Sequence, residues 1–131
     1  MSDYEYHRDF SCYNGEDTLQ GLTPFGFTGN EPLYVANFDQ AQLEWAHDFA
    51  MACFPPIKSI NTKHTSYGLK HIAERRAKIL SDNEVNYITN GALILAMVDA
   101  GFEFRREPGS PNVMFNVSER AIKLMAKHYN R

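Results

Sequence analysis

The spacing of apolar residues changes at Gly101, and this change limits the folds that are open to the chain. Before Gly101, apolar side chains recur every three or four residues, as on one face of an α-helix. After it, Phe102 and Phe104 alternate with charged residues, which is the pattern of a half-buried β-strand. A chain of 131 residues with this pattern is expected to form one compact α+β domain rather than two domains.

Three helices are predicted before Gly101, each from an apolar face and a capping residue. The first covers about residues 39–54, where Asp39 is the expected cap and a pair of prolines stops the helix. The second covers about residues 65–77 and the third about residues 91–100, each with a serine, threonine or asparagine at its start. The third helix is almost entirely apolar, so we expect it to be mostly buried.

A β-hairpin and a last helix are predicted after Gly101. A turn over residues 107–112 separates two alternating segments, and Ser118 is the expected cap of the closing helix. Three helices, a hairpin and a further helix follow each other in the order of a winged-helix domain. We therefore expect residues 39–131 to form a small winged-helix-like domain. Its third helix would then enter the DNA major groove, but Asp99 is the only charged side chain that this helix offers, so base readout is not expected.

The first 38 residues have a different character, because they show no helical period. They hold eight aromatic residues among four glycines and two prolines. Exposed aromatic surface is costly, so this irregular arm is expected to pack either on the rest of the chain, which is the favoured case, or on a partner.

The charges are divided unevenly along the chain. Residues 1–50 contain nine acids and one base, whereas residues 51–131 contain twelve bases and seven acids. This division suggests an acidic surface beside a basic one, or an acidic segment folded over a basic body. Two solvated faces without a functional role are the alternative.

Several short segments between about residues 58 and 120 resemble a core found in small uncharacterised proteins of phages and mobile elements. These segments read NTKHTSYGLKH (61–71), YITNGALI (87–94), GF (101–102) and SPNVMFN (110–116). The resemblance implies a small accessory protein in a phage or plasmid setting, and it carries no catalytic residues. Small phage proteins with strong charge asymmetry are often inhibitors of host defence, including anti-CRISPR proteins.

Two functions are predicted, and both are binding functions. In the first, the protein binds nucleic acid through phosphate contacts from Lys63, His64, Lys70, Arg75, Arg76, Arg105 and Arg106. In the second, it inhibits a host nucleoprotein complex, as an anti-CRISPR does. The acids that would imitate phosphates there are Asp3, Glu5, Asp9, Glu16 and Asp17.

An enzyme, a metal or a cofactor is not expected from the motifs present. There is no HExxH, CxxC, GxGxxG or GxxxxGK[ST] pattern, and His64 and His71 alone do not make a metal site. Cys12 and Cys53 are too few for a disulfide framework. The longest apolar run, residues 92–98, is far shorter than the roughly 20 residues that span a bilayer, and the acidic start is unlike a signal peptide, so a cytoplasmic protein is expected.

Two residues of the second predicted helix carry expectations of their own. Tyr67 is expected to be partly buried, with its hydroxyl hydrogen-bonded. Gly68 costs helix stability relative to alanine, so it suggests that a backbone or a partner approaches closely there; a helix that starts after Gly68 is the alternative.

Overall fold

The computed structural model describes residues 8–129 and has the predicted α+β class. Two antiparallel two-stranded sheets accompany four α-helices. The helices are α1 (Gln40–Ala52), α2 (Ser66–Leu80), α3 (Asn90–Asp99) and α4 (Glu119–His128). The strands are β1 (Leu22–Thr23), β2 (Gly26–Phe27), β3 (Phe104–Arg106) and β4 (Val113–Phe115).

The predicted caps hold at three of the four helices. Asp39 accepts hydrogen bonds from the backbone N–H groups of the second and third residues after it, and the side chains of Thr89 and Ser118 each accept one at the starts of α3 and α4. At α2 the Thr65 side chain makes no cap bond. Ser66, the first residue of α2, instead accepts a bond of 3.1 Å from the backbone N–H of Val113, which ties the helix start to β4.

Helix α3 is the centre of the core. Eight consecutive residues, Asn90–Met97, are buried, and the helix packs against both α1 and α2. A helix covered on all sides cannot insert into a DNA groove without unfolding the protein. The burial of α3 is therefore a second reason, besides its composition, to expect no base contacts from this helix.

The arm residues that the structure describes, 8–38, share the core of the helices. Their side chains within the common apolar cluster are Phe10, Leu19, Leu22, Phe27, Leu33, Val35 and Phe38. The β1–β2 hairpin covers the start of α3, where the backbone N–H of Gly91 donates to the carbonyl of Pro24 at 2.9 Å. A domain boundary at residue 38 stays a prediction, although the two parts share one core.

The β3–β4 hairpin has two different faces because side chains alternate along a strand. Phe104 pairs with Phe115 and faces the core, and Arg106 lies on the same face. Arg105 pairs with Met114 on the opposite face.

Helix α4 lies along α2 and runs in the same direction. Near their starts, His64 contacts Glu119 at 2.9 Å, and near their ends the guanidinium of Arg76 lies 5.7 Å from the ring centroid of Tyr129. The outer sides of two parallel helices therefore contribute to the surface of the molecule.

Candidate nucleic-acid interface

Lys70, predicted as a phosphate contact, is an internal residue. It is only 5% exposed, and its Nζ lies 2.7 Å from Oε2 of Glu74. The same ammonium lies over the rings of Tyr67 at 5.3 Å and Tyr87 at 4.8 Å. A cation enclosed in this way cannot reach a phosphate, so the prediction for Lys70 is wrong.

His64 and Arg76 also contact carboxylates, those of Glu119 and Asp48. His64 Nε2 lies 2.9 and 3.1 Å from the two carboxylate oxygens of Glu119, and Asn61 donates to the same carboxylate at 3.1 Å. The hydrogen bonds from Asn61 and His64 hold the pKa of Glu119 below its usual value. Arg76 lies 2.6 Å from Asp48. Both side chains are therefore engaged by carboxylates in this structure.

The remaining predicted cations lie on three elements, which are the α1–α2 connection, the β3–β4 hairpin and α2. Lys63 and Arg105 are exposed, on the α1–α2 connection and on the outer face of the hairpin. Arg106 is exposed but lies 4.3 Å from the ring centroid of Phe27, a cation–π contact that orients it. Arg75 lies on α2, and its Nε is buried without a hydrogen-bond partner among the described residues.

Three cations on α4 were not among the predicted site residues. Arg120, Lys123 and Lys127 are all exposed. At about 100° per residue they lie within about 60° of one another and opposite the inward Ile122 and Met125. None has an acidic partner in the part of the chain that the structure describes. Their spacing of three and four residues along the sequence is the signal that identifies them as one row on a helix.

The outer side of α2 carries a second row of polar residues. Tyr67, His71, Arg75 and Lys78 follow each other at spacings of four, four and three residues, so they share one side of the helix. Arg75 and Lys78, together with Ile79, Asp82 and Asn83, also line a surface depression of about 300 Å³ at the C-terminal end of α2. We call the outer sides of α4 (Arg120, Lys123 and Lys127) and α2 (Arg75 and Lys78) the basic face.

The acids of the second predicted function are only partly within the described residues. Asp3 and Glu5 lie outside them. Asp9 accepts hydrogen bonds from the hydroxyl and the backbone N–H of Ser11, which lower its pKa. Glu16 and Asp17 are exposed, and neither has a basic partner among residues 8–129.

A separate cluster of ionisable groups surrounds Asp99 at the end of α3. The two carboxylate oxygens of Asp99 contact Arg8 at 2.6 Å and the hydroxyl of Tyr13 at 2.8 Å, and His47 Nε2 lies 3.4 Å away. Burial, with the hydrogen bond to Asp99, raises the pKa of Tyr13 to about 12. The cluster ties the arm to α1 and α3.

Protonation of His47 should weaken this cluster. Burial and the neighbouring Arg8 lower the pKa of His47 in spite of the nearby carboxylates of Asp99 and Asp48. The unfolded chain therefore takes up this proton first as the pH falls through about 6.5, and stability decreases with it. We expect the melting temperature to fall between pH 7.5 and 5.5, and His47→Gln to remove part of that fall. An equal fall in the variant and the wild type would contradict this assignment.

Of the two cysteines, Cys12 is exposed and Cys53 lies in the core. Burial raises the pKa of the Cys53 thiol to about 12, so this cysteine stays protonated. Within residues 8–129, no group of three or more histidine, cysteine or acidic side chains is arranged to hold a metal ion. The same part of the chain contains no helix with the length and apolarity that a membrane crossing needs.

No protein-family description matches the sequence, and no curated protein or solved structure is significantly similar to it.

Proposed function

We propose that the protein is a non-enzymatic accessory protein that binds nucleic acid by its phosphate backbone, through the basic face. The observation that carries this proposal is the outer side of α4. Three cations without an acidic partner among residues 8–129, Arg120, Lys123 and Lys127, share this side, and the only acid of the helix, Glu119, is held by His64 and Asn61.

The geometry of this row suits a phosphate backbone. Arg120 and Lys127 are seven residues apart, which is about 10 Å along a helix axis. The phosphates of one strand advance by about 3.4 Å per nucleotide along the duplex axis, so a row of this length parallel to the axis covers about three nucleotide steps. Backbone contacts of this kind give affinity and salt dependence without base specificity, which agrees with the burial of α3.

The architecture and the setting belong to the same proposal. The order of elements supports describing residues 39–131 as winged-helix-like, with the β3–β4 hairpin as the wing and Arg105 on its outer face. The resemblance to phage and mobile-element proteins supports a phage or plasmid setting.

Charge reversal on α4 tests the proposed function. In the triple variant Arg120→Glu, Lys123→Glu and Lys127→Glu, we expect the affinity for a labelled duplex at 50 mM salt to fall on the order of 100-fold or more. The slope of log affinity against log salt concentration should decrease in magnitude by about three, because three phosphate contacts are lost. Fluorescence anisotropy over 50–200 mM salt measures both quantities.

A matched control changes the net charge equally on another part of the surface. The triple variant Lys58→Glu, Lys63→Glu and Arg105→Glu replaces three exposed cations outside the basic face. Two of them, Lys63 and Arg105, are phosphate contacts predicted from the sequence, so this variant also tests that prediction. We expect it to lose less than about tenfold in affinity, through the general field of the protein alone. An equal loss in the two variants would move the contact surface away from the basic face. A wild-type protein that binds no nucleic acid would overturn the proposal.

A second candidate function uses the acidic arm. Glu16 and Asp17 are exposed without basic partners among the described residues, which favours binding to the basic channel of a host nucleoprotein complex, as in an anti-CRISPR protein. Under this function the variant Asp9→Asn, Glu16→Gln and Asp17→Asn would lose inhibition of such a complex, while the α4 triple variant would keep it. Inhibition assays with both variants separate the two functions, because they predict opposite sensitivities.

A further inference from the structure

Two tyrosines form an exposed aromatic pair beside the basic face. Tyr67 at the start of α2 is 51% exposed, and Tyr87 in the α2–α3 connection is 53% exposed. The hydroxyl of Tyr67 has no hydrogen-bond partner within residues 8–129, so the expected partly buried, hydrogen-bonded tyrosine is not found. Exposed aromatic side chains that lie together beside cations form a candidate surface for a ligand or partner.

Both rings are positioned by one buried ion pair. The Nζ of Lys70 lies 5.3 Å from the ring centroid of Tyr67 and 4.8 Å from that of Tyr87, so the two rings flank the same ammonium. Glu74 holds this ammonium at 2.7 Å, and it also accepts a bond of 3.1 Å from the backbone N–H of Ile88, next to Tyr87. Each ring therefore contacts the ammonium of Lys70 and leaves about half of its side chain exposed to solvent.

The imidazole of His71 is a third ring in this arrangement. Its ring meets that of Tyr67 at 4.7 Å and 90°, and its Nδ1 lies 3.0 Å from Glu74. His71 thus ties Tyr67 to the same carboxylate that holds Lys70. The tyrosine pair is ordered before any ligand arrives, which reduces the entropy that is lost on binding.

The cations nearest along the helix decide which ligand fits the pair. From Tyr67 the outer side of α2 continues through His71 and Arg75 to Lys78, about 16 Å in total. A fitting ligand has planar groups that stack on the tyrosines and negative charges that reach Arg75 and Lys78. A nucleic acid strand with unpaired bases has both features. An apolar protein partner would leave Arg75 and Lys78 without complementary charge.

We infer that Tyr67 and Tyr87 stack on the bases of single-stranded nucleic acid, while the basic face holds its phosphates; this inference rests on the proposed function and narrows its ligand. A duplex hides the faces of its bases, so it would use the basic face alone. Single-stranded DNA and RNA share this chemistry, and separate oligonucleotides distinguish them.

The test compares single strands with a duplex in the full-length protein. Binding of labelled dT12, rU12 and a 12-base-pair duplex is measured by fluorescence anisotropy for the wild type and for Tyr67→Ala, Tyr87→Ala and the double variant. We expect the single-strand affinity to fall by about 5- to 150-fold for each ring removed. Duplex affinity should change less than about twofold. The tighter binder of dT12 and rU12 shows whether the protein prefers single-stranded DNA or RNA.

Two kinds of control separate stacking from structure. Tyr67→Phe and Tyr87→Phe keep the ring and should retain single-strand binding. Tyr34→Ala removes a tyrosine of similar exposure, 58%, from the arm and should have no effect. Thermal unfolding of each variant shows whether it is folded.

The outcomes that overturn the inference differ from those that overturn the proposed function. Unchanged single-strand binding in the folded double-alanine variant, or equal losses for single strand and duplex, would exclude stacking while nucleic-acid binding stands. Absence of binding to all three oligonucleotides by the wild type would exclude both. Loss of single-strand binding in Tyr34→Ala would place the contact on the arm instead.

Discussion

Gly91→Ala is expected to lower the free energy of unfolding by about 3 kcal/mol or more and to displace the β1–β2 hairpin from α3. A Cβ atom at residue 91 would overlap the carbonyl oxygen of Thr23 and would lie 2.7 Å from its carbonyl carbon and 2.9 Å from that of Pro24. Both neighbours are backbone, so no side chain can rotate away. The hydrogen bond from the Gly91 N–H to Pro24 would be lost as well.

Gly68→Ala is the matched control, because it makes the same change in another helix. A Cβ atom at residue 68 would meet no other segment of residues 8–129 within 4 Å, so the described part of the chain does not supply the predicted close approach. This variant should be more stable by up to about 1 kcal/mol, through the higher helix propensity of alanine. Urea denaturation of both variants measures the difference, and changes of the same sign would contradict the packing described for Gly91.

Lys70→Met is expected to lower the free energy of unfolding by about 3 kcal/mol, because it removes the ammonium from the largely buried carboxylate of Glu74. The side chains of Lys70 and Glu74 are 6% and 13% exposed, and the carboxylate then keeps only His71 Nδ1 and the backbone N–H of Ile88 as partners among the described residues. The loss should also release Tyr67 and Tyr87, whose rings the ammonium holds. Denaturation in urea measures the stability.

The double variant Lys70→Met, Glu74→Gln isolates the cause. Glutamine keeps an oxygen that can accept the backbone N–H of Ile88 but carries no charge. Part of the stability lost in Lys70→Met should therefore return, since no isolated charge remains buried. If Lys70→Met costs less than about 1 kcal/mol, or the second substitution adds to the loss, the ion pair is not the cause.

The positions of the helices could be predicted because their determinants are local. Asp39, Thr89 and Ser118 cap backbone N–H groups only two or three residues away. Each cap and the helix start that it stabilises therefore lie within one helical turn of sequence. Thr65 shows the limit of this reasoning. Its side chain makes no cap bond, and the neighbouring Ser66 instead accepts a bond from Val113, which is 47 residues away.

The candidate site could be predicted only in part. Whether a basic side chain can contact a phosphate depends on residues that lie far away in the sequence. Glu74, which encloses Lys70, is four residues away, but the burial of the pair also needs Tyr87 and the backbone of Ile88. His64 and Arg76 find their acids 55 and 28 residues away, so no local pattern shows that they are occupied. The row on α4 was predictable, because it depends on helical spacing alone.

The sequence by itself determined the class of the fold, the approximate helices and hairpin, and the division of charge, because periodicity, caps and composition act over a few residues or over the whole chain. The tertiary structure alone decided which elements cover α3, that Gly91 rather than Gly68 meets another backbone, and which cations remain free. These outcomes arise from contacts between segments far apart in sequence. Such contacts depend on how the helices and the arm pack together, which short-range patterns do not encode.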